Sequence, residues 1–246
     1  MKAYQATDIG KIRAENQDSL ASKCYEDGLF ALVCDGMGGM LSGSAASNSA
    51  ILTAAKLFDE RYETGMENNA LCDLLRECAA EANKAVFQMS VESGFPGSMG
   101  TTLVGIFMRR SHCCLVNVGD SRAYLLPADG SIRQLTTDHT FVQHLYEQGM
   151  ITAEERTTHE RRNELTRAIG VQKSVLVDTF CMEMADGDRI LLCSDGLYGM
   201  VSEERMAELI NHTEPEKVPE ECIREANENG GRDNITLILA VRDAET

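Results

Sequence analysis

Residues Leu29 to Gly39 read LFALVCDGMGG. An apolar run suited to the middle of a sheet ends in a carboxylate, Asp35, and then meets three glycines within four positions. Aspartate and glycine leave strands for backbone reasons alone, so one such junction is a turn. This chain repeats the junction. Asp120 stands in VNVGDSRAY, Asp195 in LLCSDGL and Asp233 in GGRDNITLIL, each at the border of an aliphatic run and beside glycine or asparagine or one residue from it. An aspartate at the end of a buried strand is held rigidly, and glycine lets the backbone come close enough to offer its own carbonyl. Hard cations such as Mg²⁺ and Mn²⁺ take oxygen ligands of this kind and complete their shells with water. Several carboxylates gathered without a cation repel one another strongly. The pattern therefore points to a two-metal site, its ions about 3.5–4 Å apart with one carboxylate between them.

Working outward, strands are expected at Phe30–Cys34, Thr102–Met108, Cys113–Val118, Arg122–Leu126, Val175–Phe180, Arg189–Cys193 and Ile235–Val241, all rich in β-branched or aliphatic residues. The short polar links RRS, between Met108 and His112, and GDS, between Val118 and Arg122, suggest antiparallel neighbours. Ala46, Ala50, Ala54, Leu57 and Phe58 recur at helical spacing, as do Leu71, Leu74, Leu75, Cys78, Ala82, Ala85 and Met89, which predicts two long amphipathic helices. Later helices are expected after Ser202 and after Thr213, where Thr213 and Glu216 form a capping-box pattern and Pro215 suits a first turn. This order of elements is α+β, with helices packed on antiparallel sheets. Thr140 to Asn163 stands apart, a short apolar-periodic helix ending at Gly149 and then the charged run TAEERTTHERRN. It is either a flap over a site or a surface excursion.

The chain has 246 residues, 43% of them hydrophobic, and no low-complexity tract, as expected of one large domain. Nine cysteines at irregular spacing, without a C-x-x-C pair, indicate neither a disulfide scaffold nor a structural zinc site and suit a reducing cytoplasm. The N-terminus MKAYQATDIGK lacks an apolar segment, and no run is long enough to span a membrane. A net charge of −16 argues against a nucleic-acid or anionic-membrane surface. Near the N-terminus, GKIRAENQD supplies Asp18 and Arg13, the latter a side chain that can grip a phosphate in two places.

Seven short motifs occur in one order: G-x-x-R-x-x-N-Q-D (Gly10 to Asp18), DGMGG (Asp35 to Gly39), GTT (Gly100 to Thr102), GDSRAY (Gly119 to Tyr124), LTRAIG (Leu165 to Gly170), SDGL (Ser194 to Leu197) and GGRDNIT (Gly230 to Thr236). In this series the chain resembles the metal-dependent Ser/Thr protein phosphatases of type 2C, most closely the compact bacterial members, over essentially its whole length. The resemblance implies a β-sandwich of two antiparallel sheets flanked by α-helices, one catalytic domain over 1–246 with a flap subdomain at about 140–163. It implies hydrolysis of phosphoserine or phosphothreonine by water activated at a dinuclear Mg²⁺ or Mn²⁺ centre. Asp35 would bridge the two ions, Gly36 would ligate through its carbonyl, and Asp195 and Asp233 would complete the second ion's ligands. Asp120, with Asp195, would hold a third ion. Asp18 would orient metal-bound water, and Arg13 would hold the substrate phosphate. Animal members carry a histidine after DG as the proposed acid for the leaving alcohol; Met37 stands there in this chain, as in many bacterial members, and cannot serve. The implied partners are phosphorylated proteins, a bacterial Ser/Thr kinase among them, met in the cytoplasm by a monomer.

Other phosphatase chemistries fail on the text. No cysteine is followed six positions later by arginine, Asp186 and Asp188 enter a strand where an aspartate nucleophile would leave one, and no GK[ST] follows the glycines of DGMGG. Cys34 and Cys193, beside or one residue from the candidate ligands, are expected to be buried strand cysteines. Two further functional classes stay open: a pseudophosphatase that binds phosphoproteins without turnover, and a metallohydrolase of nucleotides or other small phosphates.

Overall fold

The computed structural model describes residues 1–38 and 43–242; Gly39 of the DGMGG motif lies outside the described residues. Strands β1 (Lys2–Asp8), β11 (Ile235–Val241), β10 (Arg189–Cys193), β7 (Arg122–Leu126) and β8 (Arg133–Gln134) form one antiparallel sheet in that order. The second runs β2 (Asp18–Cys24), β3 (Leu29–Met37), β5 (Leu103–Met108), β6 (His112–Val118) and β9 (Asp178–Glu183), with β4 (Gly100–Thr101) paired to the end of β3. The long helices α1 (Gly43–Arg61) and α2 (Asn68–Glu92) cover the second sheet. Helices α5 (Asp195–Tyr198), α6 (Glu203–His212) and α7 (Val218–Glu228) cover the first. Two short helices, α3 (Phe141–Glu147) and α4 (Ala153–Thr158), stand on the connection from β8 to β9.

The period-two rule of a strand divides β3 between two cores. Leu29, Ala31 and Val33 meet Ile190, Leu192, Ile238 and Ala240 of the opposite sheet. Phe30, Leu32 and Cys34 face α1 and α2, among Ala50, Ala54, Phe58, Leu75 and Val86. A strand buried on both faces needs no polar alternation, which is why LFALVC reads as an unbroken apolar run. The first sheet is treated likewise: Leu125 and Ile238 point to the other sheet, while Leu126, Leu191 and Leu239 pack on Met206, Leu209 and Cys222. The result is the four-layer α-β-β-α sandwich anticipated from the resemblance.

Details of the pattern differ. The RRS link is a hairpin between paired β5 and β6, but GDS carries the chain from the second sheet to the first, so Val118 and Arg122 are not antiparallel neighbours. Val175–Phe180 shifts to Asp178–Glu183, because Val175 and Val177 pack from a loop against the helix-side core. Thr213 closes α6 rather than opening α7, which starts at Val218 with Pro219 in its first turn. The capping box that does form is Thr152 with Glu155, at the start of α4. Strands β1 and β2 lie at sheet edges and are too polar for a hydrophobic pattern to mark.

Phe58 tests the helix-side layer. Its ring is fully buried, stacked on Phe30 at 4.2 Å and on Tyr62 at 5.1 Å between centroids. Phe58→Ala is expected to cost about 3–5 kcal/mol, read as a lower urea midpoint at unchanged slope.

Candidate active site

The junction aspartates gather at one end of the sandwich because the strands carrying them end or begin there. Asp35 ends the apolar part of β3, and Asp18, first residue of β2, is paired with it in register. Asp120 follows β6 in the crossing between sheets. Asp195 opens α5 directly after β10, and Asp233 precedes β11. The Ser194 amide donates to the Thr236 carbonyl at 3.0 Å, extending the β10–β11 ladder towards these two acids. A cleft of about 1030 Å³ opens over the group and is lined by Arg13, Asp35, Gly36, Asp120, Asp195 and Asp233. Asp18 does not line it; 8% exposed, it sits behind the others.

Hydrogen bonds hold Asp35 by its backbone and Asp18 by its side chain. The amide of Asp35 donates to Thr102 Oγ1 at 2.9 Å, and its carbonyl accepts from the Thr102 amide at 2.9 Å and Thr101 Oγ1 at 2.8 Å. Thr102 Oγ1 in turn bonds Ser121 Oγ at 2.6 Å, tying Asp35 to the chain beside Asp120. Ser194 Oγ donates to Asp18 Oδ2 at 2.7 Å and accepts from the Thr236 amide at 3.0 Å. Gly196 lets β11 approach: a Cβ there would lie 1.9 Å from the Asn234 carbonyl oxygen. The buried Gly36 donates its amide to the Gln17 carbonyl at 3.1 Å.

Arg13 lies on a loop that Asn234 organises. The Asn234 side chain donates to the carbonyls of Ile9 at 2.9 Å and Glu15 at 3.0 Å, and accepts from the Gln17 amide at 2.8 Å. Gly10 turns the loop at φ +79°, where a Cβ would strike the Asp233 carbonyl. Arg13, half exposed, donates from Nη2 to Asp233 Oδ2 at 2.6 Å. The carboxylate raises the arginine pKa further.

Asp120 is supported from below. Tyr198 Oη donates to its carbonyl at 3.0 Å, and the Arg122 guanidinium lies 3.7 Å over the Tyr198 ring while forking onto Asp138. The Gly119 amide donates to His139 Nδ1 at 3.0 Å. The imidazole proton therefore sits on Nε2, donated to Asp178 Oδ2 at 3.0 Å. Burial lowers the His139 pKa, in keeping with a neutral ring.

The electrostatics are those of a site short of positive charge. Burial, reinforced by Asp195 and Asp233, pushes Asp18 up to about 7 against its hydrogen bond from Ser194. Burial and Asp233 bring Asp195 to about 6, and burial with Asp195 and Asp138 brings Asp120 to about 8. Asp35 is pushed well above the carboxylate range by burial, then by Asp18, Asp195 and Asp120. Asp18 Oδ1 and Asp195 Oδ1 are buried with no hydrogen-bond partner. Hard oxygen donors, mutual repulsion and buried orphan oxygens fit divalent cations of the Mg²⁺ and Mn²⁺ kind. Among the described residues no three His, Cys, Asp or Glu side chains already form a closed ligand set, so water and backbone oxygen would complete any shell.

The structure thus brings all seven expected residues to one end of the fold, six on the cleft and Asp18 behind it. Thr101, Thr102, Ser194 and Asn234 stood inside the quoted motifs, but their clamping roles need the fold to be seen. Tyr198 and His139 carried no signal. Burial pushes the thiols of Cys34 and Cys193 up, as expected of inert strand cysteines.

Comparison with known proteins agrees with this geometry. Residues 12–226 match the family model described as Protein phosphatase 2C. The chain is 39% identical to the serine/threonine phosphatase stp of Listeria monocytogenes, covering 99% of this chain and 96% of that one. Serine/threonine phosphatase Stp1 from Staphylococcus aureus superposes with a TM-score of 0.90 at 32% identity, covering 99% of this chain and 95% of that one. The catalytic domain of serine threonine protein phosphatase PstP, solved in complex with 2 manganese ions, superposes with a TM-score of 0.81 at 33% identity over 98% of each chain. The chain belongs to the protein phosphatase 2C family. It is accordingly a metal-dependent serine/threonine phosphatase, using the Mg²⁺ or Mn²⁺ that is general to the family.

The carboxylate cluster makes a pH prediction for chelator-stripped protein. Raised native pKa values mean that the folded state holds more protons than the unfolded chain between about pH 4 and 8, so these acids lower stability as pH rises through that window. Arg13 and Arg122 offset part of the effect, and His139, depressed by burial, opposes it on the acid side. Asp35→Asn removes one of the crowded charges. Without metal, the variant is expected to melt higher than wild type at pH 8 by about 2–4 °C or more, the shift that about 1 kcal/mol gives in a chain of this size, with a shallower fall between pH 6 and 8. Parallel melting curves would refute the crowding.

Proposed function

We propose that this cleft carries out the dephosphorylation of phosphoserine and phosphothreonine on protein substrates with the following division of labour. Asp35, the Gly36 carbonyl, Asp195 and Asp233 would hold the two cations of a dinuclear centre, and Asp120, with Asp195, would hold a third, weaker one. Bound there, the cations would supply an activated water and neutralise charge on the phosphoryl oxygens. The observation that carries this assignment is the convergence on one cleft of the acids that end the apolar part of β3, follow β6 and β10 and precede β11, with Asp18 of β2 paired behind them and Arg13 bonded to Asp233.

The chain's own groups do the rest. Arg13 holds the substrate phosphate through its guanidinium fork, exchanging its bond to Asp233 for phosphoryl oxygens. Asp18 keeps Oδ2 on Ser194 and presents the unpartnered Oδ1 as an acceptor that orients water. Met37 lines the cleft and has no acidic proton, so it cannot serve as the acid for the leaving alkoxide. The segment 140–163 acts as a flap within one catalytic domain over 1–246: His144 and Asn163 reach the cleft wall from it. The substrates include a bacterial Ser/Thr kinase whose phosphorylation the enzyme reverses, in the cytoplasm and as a monomer.

The test is hydrolysis of a phosphothreonine peptide by the full chain with Mn²⁺. Chelator is expected to abolish turnover, Asp35→Asn to lower kcat by roughly 10²–10³-fold, and Arg13→Ala to lower kcat/KM by a similar factor. Binding of the peptide without turnover would mark a pseudophosphatase, and faster hydrolysis of nucleoside phosphates a different metallohydrolase. Incubation with an autophosphorylated kinase, read by loss of phosphothreonine, checks the partner.

A further inference from the structure

Three thiols meet on the helix-side face of the second sheet, outside the seven motifs read in the sequence. Cys72 stands near the start of α2, Cys114 on β6 and Cys181 on β9, the edge strand of that sheet. All three pack in the core beneath α1 and α2. Cys114 and Cys181 are direct partners in the β6–β9 register, and the Cys114 thiol donates to Cys181 Sγ at 2.7 Å. Residues opposite one another in an antiparallel pair have Cα atoms about 4.5–5.5 Å apart. A disulfide spans about 4.4–6.8 Å between Cα atoms. The two strands therefore need not move for these sulfurs to join. From the helix, Cys72 completes the group with a side-chain hydrogen bond to Cys114.

Solvent reaches the three unequally. Cys114 is 1% exposed, whereas Cys72 and Cys181 are half-buried. Burial pushes the thiols of Cys114 and Cys72 up, which holds both protonated. Cys181, on the open edge, is then the sulfur from which exchange starts. The strand that carries it also serves the catalytic cleft. Its first residue, Asp178, bonds His139 at 3.0 Å and Arg167 at 2.8 Å, and Val175 and Leu176 just before it line the cleft wall. A bond from Cys181 to Cys114 would fasten this edge strand to its inner neighbour.

We propose that Cys114 and Cys181 form a reversible dithiol–disulfide site that is oxidised by low-molecular-weight disulfides and pins β9, with Cys72 left beside it as a thiol. The Cys181 thiolate attacks one sulfur of the small disulfide and expels a small thiolate, leaving a mixed disulfide. The Cys114 thiolate then attacks Cys181 Sγ and expels the second small thiolate. Two protein thiols are oxidised, the small disulfide is reduced to two thiols, and the two protein protons pass to them. In a reducing compartment a bond of this kind is transient and follows the thiol balance around it. The assignment stands independently of the roles proposed for the cleft.

The test equilibrates the full chain, reduced and freed of reductant, with glutathione buffers of graded oxidised-to-reduced ratio, then alkylates, digests and maps it by mass spectrometry. A pair of peptides joined through Cys114 and Cys181, short of two hydrogens and carrying no glutathione, is expected, with Cys72 alkylated. Dithiothreitol is expected to return both cysteines to thiols. Cys72→Ser is expected to form the same bond. Cys181→Ser, at the half-buried position, is expected to abolish it and to leave Cys114 a thiol. Cys114→Ala is the second variant, its fold checked by thermal melting, and is expected to stop at the glutathione adduct of Cys181. In the oxidised wild type the amides of β9 are expected to exchange hydrogen about tenfold or more slowly than in the reduced chain. Cys114 and Cys181 that stay unjoined in excess oxidised glutathione, a bond that takes Cys72 in place of either, or unchanged exchange across β9 overturns the proposal.

Discussion

Crowding of like charge is the constraint on which this fold is arranged. Asp18 and Asp35 face each other across neighbouring strands, a juxtaposition that costs stability in any sheet. Asp195, Asp233 and Asp120 are then brought to the same end. For Asp18, Asp35, Asp120 and Asp195, burial disfavours the charged form and neighbouring acids disfavour it further. No packing argument selects such an arrangement. It persists because the two-sided core of β3 and the paired cores behind both sheets supply enough stability to hold the acids against their repulsion.

Holding them requires backbone rather than side-chain restraint, since side chains bound to one another would not be free for a ligand. Thr101 and Thr102 grip the main chain of Asp35, Tyr198 grips the carbonyl of Asp120, and Gly196 lets the two strands of Asp195 and Asp233 close up. The threonines and Tyr198 bond amides and carbonyls, which leaves the carboxylates of Asp35 and Asp120 facing the cleft. Asp18 and Asp233 are tied through their side chains as well, Asp18 to Ser194 behind the cleft and Asp233 to Arg13 and the Asn234 amide at its wall.

Much of this was legible in the sequence because the chemistry is local. A strand, an aspartate and a glycine are adjacent residues, and the four junctions announce themselves without any knowledge of the sheets. What is non-local was hidden. GDS has the length of a hairpin, yet it crosses between sheets, and nothing in three residues distinguishes the two. Thr213 offers a capping box that the end of α6 pre-empts. The edge strands β1 and β2 owe their existence to ladders with β11 and β3, not to apolar periodicity. Tyr198 and His139 act on Asp120 and on Gly119 beside it from elsewhere in the chain, a relation that only the fold creates.

The bond between Arg13 and Asp233 links the two halves of the site. In the structure the arginine neutralises the acid, and the loop that carries it is fastened to Asn234, the residue next to that acid. Whatever else neutralises Asp233 therefore competes with Arg13 and frees its guanidinium without moving the loop. The released fork remains over the cleft because its anchor is the backbone at Ile9, Glu15 and Gln17 and not the ion pair itself. Asn234 thus fastens both partners of the ion pair, Asp233 through its own amide and Arg13 through the backbone of the loop that carries it.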